Sequence, residues 1–326
     1  MKISQFRIRR LLILLKIAEN NPLKKTFYSN GKLLITGEYV VLDGAIALAL
    51  PTKFGQTLTI TESESKIISW KSFDADGSIW FETTISFLSI IKKERFEDSH
   101  SIKNTLIEIL HQAYLINSDF ITYSKGYTIT TELSFPKFWG LGTSSTLINN
   151  IAQWLGIDAF ILLRNSFGGS GYDIACAQNN TAILYQLIDE MPKVTVIKFK
   201  PSFTDKIYFV YLNKKQNSKA AIASYYSNQG NTGQTIPIIN KITQAVIEAS
   251  DSKVFENELQ KHEIEMSAIL EMQTVKEALF HDFQGTVKSL GAWGGDFVMV
   301  ITNTNPTDYF KSKGYEIIIS YEDMIL

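Results

Sequence analysis

Four short stretches of this chain combine residue types able to do polar chemistry. "GLGTSST", Gly140 to Thr146, sets two glycines and a run of hydroxyls directly ahead of an apolar pattern of helical period. The first turn of a helix leaves backbone N–H groups without partners, and the macrodipole adds partial positive charge there. Glycines let an anion approach that end closely, and hydroxyls add donors or a metal ligand. A plain Ser/Thr cap on a structural helix fits the same letters. "GGSGYDIACAQ", Gly168 to Gln178, delivers Asp173 to the start of a short apolar helix. That carboxylate is either a dipole-stabilised helix acid or a group that orients, or takes a proton from, a hydroxyl nucleophile.

"NGKLLITGEYVVLDG", Asn30 to Gly44, places Lys32 and Glu38 six residues apart, on one face if a single extended strand holds both. Such a pair is salt-bridged edge decoration or part of a site. "KSLGAWGGDFVMV", Lys288 to Val300, reads as a glycine-rich turn between two strands. Common nucleotide signatures are missing: no GK[ST] follows the glycines of the first stretch, and Ser145 stands where a dinucleotide fingerprint needs its third glycine.

The elements that must carry these residues fall into two textures. From Thr26 to about residue 190 the pattern is of strands, "GQTLTITES", "SIWFETTIS", "GYTITTEL" and "TAILYQL", with a helix over Ser101–Ile116 behind a serine cap and others after Gly142 and Tyr172. Residues 191–326 read as a second α+β unit on a mostly antiparallel sheet, with strands "KVTVIKF", "KIYFVYL", "GTVKSL", "DFVMVIT" and "YEIIIS". Helices are expected there within Ala220–Ser227, Pro237–Ser250, Val254–Leu270 and Thr274–Phe280, and the join near Asp189–Lys193. Residues 1–25 join a basic start to a short apolar run that Lys16 interrupts. They are read as an extension outside the fold, poorly ordered or loosely helical, with a membrane-surface helix as the alternative.

At 326 residues the chain can bury two cores. Its 32 basic and 33 acidic residues lack the basic footprint of a nucleic-acid binder. The single cysteine, Cys176, rules out an intrachain disulfide and fits a reducing, cytoplasmic setting. No stable membrane insertion is expected.

In their order, the four stretches resemble the GHMP small-molecule kinases, the superfamily of galactokinase, homoserine kinase, mevalonate kinase and phosphomevalonate kinase. The first family motif looks like "GKLLITGEYVVLDG", the phosphate loop like "GLGTSST", the late glycine motif like "GAWGGDF", and the aspartate segment like "SGYDIA". "GEYVVL" with "SGYDIA" and "GGD" looks most like the mevalonate and phosphomevalonate kinase branch. The resemblance implies an α+β, two-domain GHMP kinase fold: an N-terminal domain like ribosomal protein S5 domain 2 and a ferredoxin-like C-terminal domain. ATP, Mg²⁺ and a small-molecule acceptor, mevalonate or 5-phosphomevalonate, would meet in the cleft of a monomer or homodimer.

On that resemblance, Gly140, Leu141, Gly142, Thr143, Ser144 and Ser145 hold the ATP phosphates, with Ser144 the Mg²⁺ ligand. Asp173 orients or deprotonates the acceptor hydroxyl. Lys32 keeps Asp173 ionised and stabilises the transferring group. Glu38, Ser170, Gly171, Gly294 and Gly295 serve the acceptor side, and Gly291 helps the second domain close. Trp139 either stacks on adenine or packs. "NKKQNSK", Asn213 to Lys219, either supplies Lys214, Lys215 or Ser218 to an acceptor anion or is a solvated turn.

The departures from the pattern are Asn30 where a proline is usual, Trp139 before the loop, and Trp293 and Asp296 at the third motif. In addition, no glutamate lies between Ser145 and Asp173 to complete the metal site, leaving Asp158 as a ligand or a helix cap. Other functions consistent with the resemblance are a sugar or homoserine kinase, a diphosphomevalonate decarboxylase, and a GHMP-fold ligand-binding protein without turnover.

Overall fold

Alternation of apolar and polar residues buries one face of each strand. Tyr127–Leu133 shows this plainly, with every second residue buried. The computed structural model describes residues 24–96, 101–214, 225–227, 232–291, 293 and 295–326. The expected extension therefore lies outside the described residues, apart from Lys24 and Lys25, which begin the first strand.

The larger sheet has seven strands: β1 (Lys24–Leu34), β2 (Ala47–Glu62), β3 (Ile67–Phe73), β4 (Ile79–Ser86), β5 (Tyr127–Leu133), β6 (Ile183–Ile188) and β7 (Met191–Val196). Their order is β4-β3-β5-β2-β6-β7, with β1 paired to β2. Only β3 and β5 run parallel, and the long connection between them contains helix α1 (Ile102–Ile116), capped by Ser101 as its sequence anticipates. Strand β7 was expected in the second unit. It instead hairpins onto β6, so the larger sheet ends at Val196. The turn residues Asp189 and Glu190, both at positive φ, reverse the chain there.

Helices α2 (Thr143–Leu155), α3 (Ala159–Ser166) and α4 (Tyr172–Gln178) follow the phosphate-loop candidate and carry the residues that lead to Asp173. Helix α2 is tied down by buried polar contacts. Asn150 accepts from Ser29 Oγ at 2.8 Å and donates to the Gln56 carbonyl at 2.9 Å, while Asn149 donates to Ser29 Oγ at 2.8 Å.

The second sheet is antiparallel throughout, in the order β11-β8-β10-β9, from β8 (Ile207–Tyr211), β9 (Thr286–Ser289), β10 (Phe297–Ile301) and β11 (Ile318–Ser320). Helices α5 (Thr232–Glu248), α6 (Ser252–Leu270) and α7 (Val275–Leu279) complete this half. Helix α5 begins before Pro237 rather than at it. The proline removes one amide bond, and the Gly233 carbonyl it would have served is exposed to water. Most of the expected helix over Ala220–Ser227 lies outside the described residues; 225–227 are helical.

The halves share one core cluster, containing Leu48 and Leu50 from the first sheet and Phe209, Met299 and Leu259 from the second half. Asn240 and Thr243 of α5 also bond across, to the Ile46 amide at 2.7 Å and to Thr36 Oγ1 at 2.8 Å. The cleft is thus set between two firmly docked units.

Asn150→Ala should lower stability by about 1–3 kcal/mol, because it strands buried polar groups on β1 and β2. Urea unfolding measures this, and a loss within 0.5 kcal/mol of zero, about the noise of such comparisons, would contradict the assigned network.

Candidate active site

The site begins where β1 loses its regular register. A bulge between Asn30 and Lys32 interrupts pairing with β2, and the Lys32 amide turns to donate to the Leu141 carbonyl at 3.0 Å. The approach is close enough to require Gly31. A Cβ there would fall 2.6 Å from Thr52 Oγ1 and 2.9 Å from the Leu141 oxygen. Asn30 donates to the Asn179 carbonyl at 2.8 Å and to Asn180 Oδ1 at 2.9 Å, tying β1 to the chain just after α4. This gives the residue that replaces the usual proline a clear structural task.

The capping question raised by "GLGTSST" now has an answer. The N-cap of α2 is Gly142, at φ 102°, with no side-chain cap bond. A Cβ at Gly142 would lie 2.8 Å from Ser145 Oγ and 3.3 Å from Lys32 Cγ, so the bare backbone lets the lysine stem lie against the loop. Gly140, Gly142, Thr143, Ser144 and Ser145 all line a cleft of about 600 Å³. The helix start therefore faces the cleft with no side-chain cap bond of its own, which suits an anion, and the Asp296 carboxylate lies against Gly140 beside it. Ser144 is exposed there, whereas Thr143 Oγ1 is enclosed and has no hydrogen-bond partner. Leu141 differs from its neighbours: its side chain is fully buried, and only its backbone serves the loop.

Asp173 enters the same cleft from the first turn of α4, alongside Lys32, Ser170 and Gly171. Its Oδ1 accepts the Ile174 amide at 3.0 Å. Ser145 Oγ, which can donate to the Gly142 carbonyl at 3.0 Å, is also in reach of this carboxylate. Burial raises the Asp173 carboxyl above the ordinary range, while Lys32 and the hydrogen bonds oppose the rise. For Lys32, burial disfavours the charge, but Tyr172, Asp296 and Asp173 more than compensate and hold it above an ordinary lysine. Its ammonium stands 5.7 Å from the Tyr172 ring centroid, within cation–π range. The arrangement is an anion cradle, a fixed cation and a basic carboxylate around one space.

Other sequence readings are corrected. Glu38 does not share a strand with Lys32, because β1 ends at Leu34 and Gly37, at φ 85°, turns the chain away. Glu38 borders the cleft but is 2% exposed, and its Oε1 accepts from Lys288 Nζ at 2.5 Å. Lys288 also lies 3.2 Å from Glu263 Oε1. His262 Nε2 accepts the Gly37 amide at 2.9 Å and sits 3.3 Å from Glu38 Oε2, so the neutral ring carries its proton on Nδ1. Trp139 is not in the cleft. It packs edge-on against Phe54 and Phe297, each at 5.4 Å between centroids, as part of the interdomain core. Asp158 caps α3, accepting from Phe160 and Ile161, and is not a cleft residue.

Trp293 is also a core residue, with its amide donating to Tyr39 Oη and its indole to the Gln273 carbonyl, each at 3.0 Å. Gly291 borders the cleft, Gly295 is buried beside it, and Gly294 lies outside the described residues. Lys214 is exposed, and Lys215 and Ser218 lie outside the described residues. Sequence reasoning missed Tyr172, Arg164, His262 and Lys288. The positions of Tyr172 and Arg164, beside Asp173 and in the last turn of α3 respectively, were the available signals.

Burial pushes the Glu38 carboxyl from 4.5 up to about 7, against the pull of Lys288. The folded protein therefore holds a proton that the unfolded chain releases. This contribution to stability is complete below about pH 4.5 and is lost as pH rises through about 7. Glu38→Gln should flatten that part of the stability profile in urea unfolding between pH 4.5 and 8, whereas Lys288→Met, which strands both carboxylates, should cost about 3–5 kcal/mol. An unchanged slope in Glu38→Gln would refute the assignment.

Neither a family model nor a curated protein sequence matches this chain. Solved structures do. The mevalonate kinase of Methanococcus jannaschii superposes with a TM-score of 0.64 at 14% identity, over 91% of this chain and 96% of that one. Streptococcus pneumoniae phosphomevalonate kinase, in complex with phosphomevalonate and AMPPNP, gives 0.64 at 16% identity, over 89% and 95%. Lactococcus lactis galactokinase complexed with galactose gives 0.61 at 13% identity, over 95% and 97%. These are GHMP kinases, and the match runs through both halves of the chain. The protein has the α+β fold of the GHMP kinases.

Proposed function

We propose that this protein is an ATP-dependent kinase that transfers the γ-phosphoryl group to a small acceptor of the mevalonate type, mevalonate or 5-phosphomevalonate. The observation that carries this reading is the meeting of Asp173, Lys32 and the uncapped start of α2 in one cleft. The phosphates lie along Gly140–Ser145, and their charge is met by the amides of the helix start and by Lys32. With mevalonate as acceptor, Asp173, raised by burial, takes the hydroxyl proton as the oxygen attacks phosphorus. With 5-phosphomevalonate the nucleophile is a phosphate oxygen and Asp173 orients the acceptor. In both, Lys32 stabilises the charge that develops on the transferring group. Most of the acceleration in such a reaction comes from positioning and charge neutralisation.

The acceptor end of the cleft favours a short, partly apolar molecule. Leu34, Val41, Phe160, Leu163 and Phe167 form its walls. Among the described residues, Arg164 is the only lining cation besides Lys32, and it suits a carboxylate or a phosphate on the acceptor.

Hard oxygen donors are present for Mg²⁺. The enclosed Thr143 Oγ1 lacks a partner, and the Ser144 hydroxyl is open to the cleft. Among the described residues no group of three or more His, Cys, Asp or Glu could hold a metal. Bound there, Mg²⁺ would neutralise phosphate charge. Among the described residues, no helix is long and apolar enough to cross a membrane. The single cysteine, Cys176, supports a reducing, cytoplasmic compartment.

A coupled ADP-release assay with mevalonate, 5-phosphomevalonate, homoserine and galactose side by side should show turnover with one of the first two. Asp173→Asn should reduce kcat about 10²–10⁴-fold. The rate should fall as pH drops through the raised Asp173 pKa, at a higher pH than for an ordinary aspartate. Turnover confined to galactose or homoserine would refute the acceptor assignment. Binding without turnover of any acceptor would mark a ligand-binding protein, and full activity in Asp173→Asn would remove the proposed base.

A further inference from the structure

One side chain of the cleft has no part in the mechanism above. Tyr172 opens α4, directly before Asp173, and is half-buried where it borders the cleft. Its ring is seated against the core cluster that contains Leu34, Val41, Cys176 and Tyr185. The turn before it is held as well. The Ser170 carbonyl accepts from the Tyr185 hydroxyl, and a Cβ on Gly171 would lie 3.1 Å from both that hydroxyl and the Phe160 ring. Phenylalanine would pack equally well at this position, so packing does not account for the Tyr172 hydroxyl.

The polar end of the side chain meets Lys32. The ammonium stands 5.7 Å from the ring centroid and within reach of the phenolic oxygen. An ammonium only donates, so in that contact the oxygen accepts and its own hydrogen points elsewhere. Asp173 is the neighbouring carboxylate, but successive side chains of a helix do not face each other. Its Oδ1 already accepts the Ile174 amide at 3.0 Å. Accepting from a cation polarises the O–H and makes it a stronger donor. Burial pushes the phenol up to about 12 against the pull of Lys32, so it keeps its proton at neutral pH. The stem of Lys32 lies along the start of α2, where a Cβ on Gly142 would be 3.3 Å from Cγ and 3.8 Å from Cε. A donor beside that ammonium therefore serves the same phosphoryl oxygens as the lysine does.

We propose that Tyr172 is a further catalytic residue: its hydroxyl, oriented by Lys32, donates a hydrogen bond to a non-bridging oxygen of the γ-phosphoryl group during transfer. The assignment rests on the kinase reading and adds a fixed neutral donor to the charge of Lys32. Such a bond strengthens as charge shifts on those oxygens, so it stabilises the transition state more than the bound nucleotide.

The test is calorimetric titration of the full-length protein and of Tyr172→Phe, in Mg²⁺ buffer, with ADP alone and with ADP plus aluminium fluoride, a mimic of the transferring group. Mevalonate and 5-phosphomevalonate are present in separate runs. Wild type should bind ADP at least tenfold more tightly with aluminium fluoride. Tyr172→Phe should lose most of that gain while binding ADP alone within about threefold of wild type. In turnover, the variant should lower kcat about 10²-fold, as removal of one preorganised donor does, with both KM values within about threefold of wild type. Retention of the full aluminium fluoride gain would overturn the proposal. So would an equal loss of ADP and ADP–aluminium fluoride binding, which marks a structural role, or a raised KM at unchanged kcat, which marks ground-state binding. Wild type that turns over an acceptor yet gains nothing from aluminium fluoride sinks this inference alone; wild type that binds no nucleotide sinks the kinase reading with it.

Discussion

A single backbone hydrogen bond organises the site: the Lys32 amide donating to the Leu141 carbonyl at 3.0 Å. It requires the strand to leave its register at Asn30–Lys32, and it requires Gly31, because any side chain would collide with the accepting carbonyl. Leu141, whose carbonyl is used, is fully buried, so the accepting end is anchored in the core. The consequence is positional. A lysine near the start of the fold and a loop more than a hundred residues later come to share one wall. The Asn30 bonds to Asn179 and Asn180 then bring the end of α4, and with it Asp173, to the same strand.

This dependence explains which parts of the site could be read from the chain. The glycine–hydroxyl loop, the aspartate after Gly171 and the lysine after Gly31 announce themselves locally, because each is constrained by its own few neighbours. The strands and longer helices were legible for the same reason: burial period and capping residues such as Ser101 and Asp158 are local signals. The face to which Glu38 belongs was not local. It turns on the conformation of Gly37 and on Lys288, 250 residues away. Trp139 likewise looked available for stacking until Phe54 and Phe297 closed around it. The assignment of β7 failed because a hairpin and an interdomain connection begin with the same polar turn.

Choice among acceptors is the least legible property, for a related reason. Walls such as Leu34, Val41 and Phe167 come from separate elements, and their apolar character is indistinguishable in sequence from ordinary core. Leu34 and Val41 are themselves buried members of a core cluster, and that they also border the cleft is a fact of tertiary structure.

The charges of two motifs are exchanged crosswise between the domains. "GKLLITGE" contributes Lys32 and Glu38; "KSLGAWGGD" contributes Lys288 and Asp296. Lys32 feels Asp296, and Glu38 pairs with Lys288, so each motif gives the other one cation and one anion. Each lysine also has a second carboxylate, Asp173 for Lys32 and Glu263 for Lys288. The buried cluster of Lys288, Glu38 and Glu263 therefore carries one negative charge in excess when every group is ionised. There burial raises both the Glu38 and the Glu263 carboxyls against the pull of Lys288, which favours a proton on one of the pair. The two clusters differ in burial: Lys288, Glu38 and Glu263 tie the domains together out of water, while Lys32 and Asp173 face the cleft.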